Sequence, residues 1–147
     1  MITIRSMTAS DEAEVFAMMR VFYDSPAVQH DSSDDVLRKD IADCVGDMPL
    51  LNGYVFEVDG AVAGYAMVSL GYSTEVGGLS PWIEDIYLKE PYRGCGIAEA
   101  FFEKLPELYP GAKRFKLEVE PENARAIRAY HKYGYAALPY DVLAKEM

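Results

Sequence analysis

The dipeptide Asp59-Gly60 stands between two runs of strand-type residues, 53–58 and 61–70, and nothing else in the chain limits the fold as strongly. A two-residue loop of this composition suits the tight turns that need positive φ, so the two runs pair as adjacent antiparallel strands. Such a hairpin needs further strands or helices to cover its apolar face.

The remaining segments supply them. Residues 2–5 alternate as a short strand, and Thr8-Ala9-Ser10-Asp11 has capping-box spacing with Asp in place of the usual Glu or Gln. Val15, Met18, Met19 and Phe22 follow at helical intervals, which predicts a first helix ending near Ser25-Pro26. A second helix is expected over 34–45, with an acidic first turn and with Val36, Leu37, Ile41 and Val45 inward. A third long strand over 82–88, a helix over 98–105, a strand over 115–119 and a helix over 123–133 complete the pattern, with one or two closing strands after them. The predicted class is mixed α/β, with about four helices around a mostly antiparallel central sheet.

A chain of 147 residues with 50% hydrophobic content is expected to form one domain, residues 1–147, without disulfides or metal staples. A net charge of −10 opposes binding to a phosphate backbone, so no nucleic-acid partner is expected. The same charge suits a cationic substrate, and equally suits solubility alone. No apolar run approaches the about 20 residues of a membrane span, and MITIRSMTASDE lacks the apolar stretch of a signal peptide. Cys44 and Cys95 are expected as free thiols in the cytoplasm, and His30 and His131 have no ligand-spaced partners for a metal.

The segment from Ile83 to Ala98, IEDIYLKEPYRGCGIA, takes a strand through a glycine turn directly into a helix. A helix start presents unpaired N–H groups and a positive dipole end, and glycines let the backbone approach a bulky anion. A pyrophosphate suits this chemistry, with Arg93 as a charged donor at the rim; an ordinary strand-to-helix turn suits it too. Glu99 stands where a dinucleotide fingerprint needs Gly or Ala, and no Gly-Lys-Ser/Thr of a P-loop is present.

Arg93, Gly96 and Ala98 form the pattern Arg-x-x-Gly-x-Gly/Ala after a strand ending Tyr-Leu-x-x-Pro-Tyr, and this resembles the acetyl-CoA signature of the GNAT superfamily of N-acetyltransferases. A second stretch, Asn123-Ala124-Arg125-Ala126-Ile127-Arg128-Ala129-Tyr130 through Gly134-Tyr135, resembles that superfamily's later helix. The resemblance covers residues 54–135 and the earlier ones by element order. It implies a mixed, twisted sheet with acetyl-CoA held where two central strands splay apart. It further implies that Ile86, Tyr87 and Leu88 line the pantetheine arm, that the amides of Gly94, Cys95, Gly96, Ile97 and Ala98 hold the pyrophosphate, and that Asn123 hydrogen-bonds the cofactor. Homodimers are common among similar proteins.

Transfer to an amine requires an ammonium to lose a proton and a departing thiolate to gain one. Glu84 and Asp85 are neighbours on a strand, so their side chains are expected on opposite faces, with one addressing the site. Resemblance to the diamine N-acetyltransferase branch implies Glu84 as the base and Tyr130 as the acid. The implied acceptor is a primary amine of a small molecule; a protein amine, or acyl-CoA binding without turnover, are the alternatives. Tyr23, Asp24, His30, Asp31, Asp34, Asp35 and Glu75 are candidates for holding it.

Overall fold

Strand β1 (Ile2–Ser6) leads through a 3-10 turn (Ala9–Asp11) into α1 (Glu12–Tyr23), which α2 (Asp34–Val45) follows. Then come β2 (Leu51–Val58), β3 (Ala61–Ser69), the short pair β4 (Tyr72–Ser73) and β5 (Gly78–Leu79), β6 (Trp82–Leu88), α3 (Ile97–Leu108), β7 (Lys116–Leu117) and α4 (Ala124–Lys132). This is a computed structural model describing residues 1–28 and 31–147, so His30 lies outside the described residues.

The Asp59-Gly60 turn has φ of 51° and 84° at its two residues, the hand that a two-residue hairpin requires. It joins β2 to β3 in a sheet ordered β1-β2-β3-β6-β7, antiparallel throughout except for the parallel pair β6–β7. Alternation sorts the strand residues onto two faces. Val55, Tyr65 and Met67 meet Val15, Met18 and Met19 of α1 and Leu37 and Ile41 of α2. Tyr54, Phe56, Ala66 and Val68 meet Phe101, Phe102 and Leu105 of α3. Phe101 is fully buried, with its ring centroid 5.2 Å from that of Phe56.

The capping box forms. Asp11 accepts from the Thr8 N–H at 2.8 Å and from both terminal nitrogens of Arg5 at 2.8 Å. The Arg5 hydrogen bond is the chief cause that lowers its carboxyl to about 2. This locks β1 to the start of α1.

Three expectations need correction. Val36 is 48% exposed, because α2 turns Leu37 and Ile41 to the sheet and its neighbour about 100° around the helix faces water. The strand expected over 115–119 shrinks to Lys116–Leu117. No closing strand forms after α4. Leu138, Tyr140 and Val142 alternate as a strand would, but alternation names no partner edge, and these side chains are 44%, 64% and 70% exposed.

Gly64 of β3 sits where a Cβ would lie 2.2 Å from the Tyr87 carbonyl oxygen and 2.9 Å from Leu88 Cδ2. Gly64→Ala should therefore lower stability by about 1–3 kcal/mol. A urea midpoint equal to that of the unmodified chain would refute this close approach of β6 to β3.

Candidate active site

Beyond β6 the chain makes a 3-10 turn at Glu90–Tyr92, passes through Arg93 in extended conformation, and reaches α3 through Gly94 and Gly96. These glycines have φ of 75° and 84°, and a Cβ on either would meet nothing within 4 Å. The turn is thus an open cradle that side chains would fill. The first bond into the helix is from the Ala100 N–H to the Gly96 oxygen at 3.0 Å, so the N–H groups of Ile97, Ala98 and Glu99 have no acceptor within the helix. Cys95 is exposed between the glycines. Arg93 is fixed by Nε donating to the Leu88 oxygen at 2.9 Å, with its guanidinium 5.7 Å from the Tyr87 ring centroid.

Behind this turn the sheet opens. β6 pairs with β3 as far as Leu88 but with β7 only at Trp82 and Ile83, so the splay lies between β6 and the outermost strand. The Lys89 N–H donates to the Ala63 oxygen at 2.8 Å. By the alternation of an antiparallel ladder, Tyr87 and Asp85 face β3 as well, and the backbone groups of Ile86 and Leu88 face the open edge. That edge is the floor of a cleft of about 610 Å³, which Tyr87, Arg93 and Asn123 also line. Its wall is the end of α1 and the following turn, Val21, Phe22, Ser25, Pro26 and Ala27. Asn123 caps α4, its Oδ1 accepting from the Ala126 N–H at 3.2 Å.

Strand β6 carries a bulge that the sequence reading missed. Asp85 pairs with Met67 and Ile83 with Val68, leaving Glu84 as the extra residue. The spacing Ile83, Ile86, Leu88 was the available signal, since a strict two-residue period cannot bring Ile83 and Ile86 to one face, yet both join the α3-side core. Glu84 is exposed at the bulge and accepts from the Ser69 hydroxyl at 2.6 Å. Because the bulge inserts a residue between Ile83 and Ile86, Asp85 points to the same α1/α2 side as Glu84 and not to the opposite face expected of neighbours on a regular strand. It is 2% exposed, its oxygens accepting from the hydroxyls of Tyr23 and Tyr65, each at 2.8 Å. Burial pushes its carboxyl up to about 6, the two hydroxyls oppose the rise, and the charges of Asp40 and Glu84 add to it. Burial likewise raises Tyr23, Tyr65 and Asp40, and takes the Cys44 thiol up to about 12.

Tyr130 stands on α4 with its ring 5.7 Å from Phe102, edge to face, and burial raises its phenol. Neither it nor Glu84 lines the cleft. Of the acidic candidates for an acceptor, Asp24, Asp31 and Asp34 all pair with Arg20 and Glu75 pairs with Arg114 and Tyr140, while Asp35 is exposed in the first turn of α2. Tyr23 is committed to Asp85. Among the described residues no group of three or more His, Cys, Asp or Glu side chains is placed to hold a metal ion, and no helix is long and apolar enough to cross a membrane.

Residues 15–135 match the profile of the Acetyltransferase (GNAT) family. The chain is 31% identical over 143 residues to thialysine N-epsilon-acetyltransferase of Mus musculus, spanning 89% of this chain and 82% of the relative. A possible acetyltransferase from Clostridium difficile 630 superposes with a TM-score of 0.83 at 21% identity, over 99% of this chain and 97% of the other. An aminoglycoside N-acetyltransferase in complex with CoA superposes with a TM-score of 0.81 at 15% identity, over 99% and 95% of the two chains. At these identities the two structures speak to the fold alone.

The ionised form of Asp85 is penalised in the fold by about 3 kcal/mol, at about 1.4 kcal/mol per pKa unit above the ordinary 3.8. Because the folded value is the higher one, the stability this group contributes is full below about pH 4 and is lost as pH rises through about 6. Asp85→Asn removes that dependence. The stability difference between variant and wild type should move in the variant's favour by about 3 kcal/mol from about pH 4 to about pH 8 in urea unfolding. A constant difference would mean that Asp85 titrates as an ordinary aspartate.

Proposed function

The chain belongs to the GNAT acetyltransferase family, and from that premise we propose that this N-acetyltransferase moves an acetyl group from acetyl-CoA directly to a primary amine of a small molecule. The observation that carries the reading is the continuity of the cleft. Its floor is the unpaired edge of β6, and beyond Arg93 at its rim the chain turns through two left-handed glycines into the amide-rich start of α3. An extended amide-bearing arm fits the first, and a pyrophosphate the second. Ile86, Tyr87 and Leu88 would hold the arm, the 94–98 amides with Arg93 the pyrophosphate, and Asn123 the opposite side. When bound, the cofactor supplies a thioester carbonyl as electrophile.

Glu84 is suited to remove the acceptor's proton, through water, because its carboxylate is exposed and is held by the Ser69 hydroxyl, which donates to it at 2.6 Å. Asp85 is less suited, with both oxygens taken by tyrosines beneath the surface. Tyr130 is the proposed acid; burial keeps its phenol protonated, as a donor must be. The acceptor class follows the thialysine acetyltransferase relative and accords with the net charge of −10.

Calorimetric titration with CoA and acetyl-CoA, then thiol release across a panel of small amines, tests the reading. Release with an amine supports it; binding without release favours an acyl-CoA-binding module; no binding overturns it. Gly96→Val should abolish CoA binding, since its Cβ would fill the cradle at a φ of 84° that valine resists. Glu84→Gln and Tyr130→Phe should each lower kcat by about 100-fold or more with CoA affinity kept. Unchanged turnover in both would remove the acid–base assignment.

A further inference from the structure

The spacing between the cleft's wall and its floor depends on what ties α1 to β6. One tie is the ion pair of Glu14 with Lys89, just past the end of β6, in which both side chains are partly exposed and thus weakly coupled. The other is the hydroxyl of Tyr23, the last residue of α1, donating to Asp85 at 2.8 Å, beside Phe22, whose ring lies 6.2 Å from Tyr87. Phe22 and Tyr87 both line the cleft, one from the wall and one from the floor. We propose that Asp85 is a positioning residue for the cofactor: by accepting from Tyr23 it holds the last turn of α1 at the distance from β6 that the cofactor's arm requires. The inference rests on the acyl-CoA reading of the cleft.

The chemistry around Asp85 favours a role beyond packing. The groups facing it are Tyr23 from α1, Asp40 and Cys44 from α2, Tyr65 from β3 and Glu84 from β6 itself. Among the described residues every one is neutral or acidic, so the fold bears a buried carboxylate without a cationic partner there, a cost that a polar, uncharged residue would avoid. What ionisation provides is an acceptor for two hydroxyls at once. A protonated carboxyl carries its own O–H and donates it to one tyrosine oxygen, so one of the two bonds reverses, becomes neutral and weakens, and that tyrosine's proton needs another acceptor. Tyr65 is fully buried within the sheet, whereas Tyr23 sits at a helix end and is the one free to move. Weakening of that bond loosens the wall, so CoA affinity follows the charge of Asp85.

The test is calorimetric binding of CoA to the wild-type chain, Tyr23→Phe and Tyr65→Phe from about pH 5 to about pH 8. The ratio of each variant's Kd to that of the wild type cancels the titration of CoA's own phosphates. Tyr23→Phe should bind about tenfold more weakly at pH 8, the worth of one hydrogen bond to a charged group, and the ratio should fall towards one at pH 5, where the wild type keeps only a weaker, neutral bond. Tyr65→Phe should bind as the wild type does at pH 8 and at pH 5 and more weakly only between them, because its Asp85, without the Tyr65 hydroxyl, protonates at higher pH. A purely structural role would give equal and pH-independent ratios for the two variants. A Tyr23→Phe ratio of one at every pH overturns the inference while leaving wild-type CoA binding intact; no CoA binding by the wild type overturns inference and reading together.

Discussion

A strand inside a sheet must satisfy its backbone groups on both edges, and β6 does so along its whole length on only one. It is laddered to β3 along its length, but β7 leaves it after Ile83, so the backbone groups of Ile86 and Leu88 face a cleft. Unpaired backbone donors and acceptors are costly when buried and are tolerated here where a ligand or water can reach them. The rest of the arrangement follows from that opening. Arg93 turns back to cap the Leu88 oxygen, α3 begins at Ile97 after the glycine turn, and Asn123 brings the start of α4 to the facing rim.

Two low-exposure aspartates on this scaffold show how partners decide a carboxylate's behaviour. Asp11 meets the Arg5 guanidinium and falls to about 2, which makes it a clamp between β1 and α1. Asp85 meets only hydroxyls, with Asp40 and Glu84 nearby, and rises to about 6. The first adds stability at neutral pH. The second subtracts it, and such a cost is borne most often where geometry serves a ligand.

Much of the fold was legible because local rules and tertiary packing agree. The Asp59-Gly60 turn, the limits of α2 and of β6, and the glycine turn before α3 all lie where residue chemistry put them. Disagreements arise where a local pattern lacks a long-range partner. The alternating Leu138, Tyr140 and Val142 find no edge to join, Val36 lies just outside the packed stripe of α2, and the acidic residues after α1 gather around Arg20 instead of lining a pocket. Within the site, the strand-turn-helix segment and the Asn123 cap could be read from sequence, but the bulge at Glu84 could not be inferred from a simple two-residue period.

By itself the sequence determined the four helices, the long strands and the glycine cradle, because turn conformation, helix capping and residue alternation are properties of a few adjacent residues. Only the tertiary structure decided which carboxylate stays in water and which is buried, where the sheet opens, and that a tyrosine at the end of α1 reaches a strand 62 residues later. Those are facts of register and packing, set by contacts between segments distant in the chain, and no local residue preference encodes them.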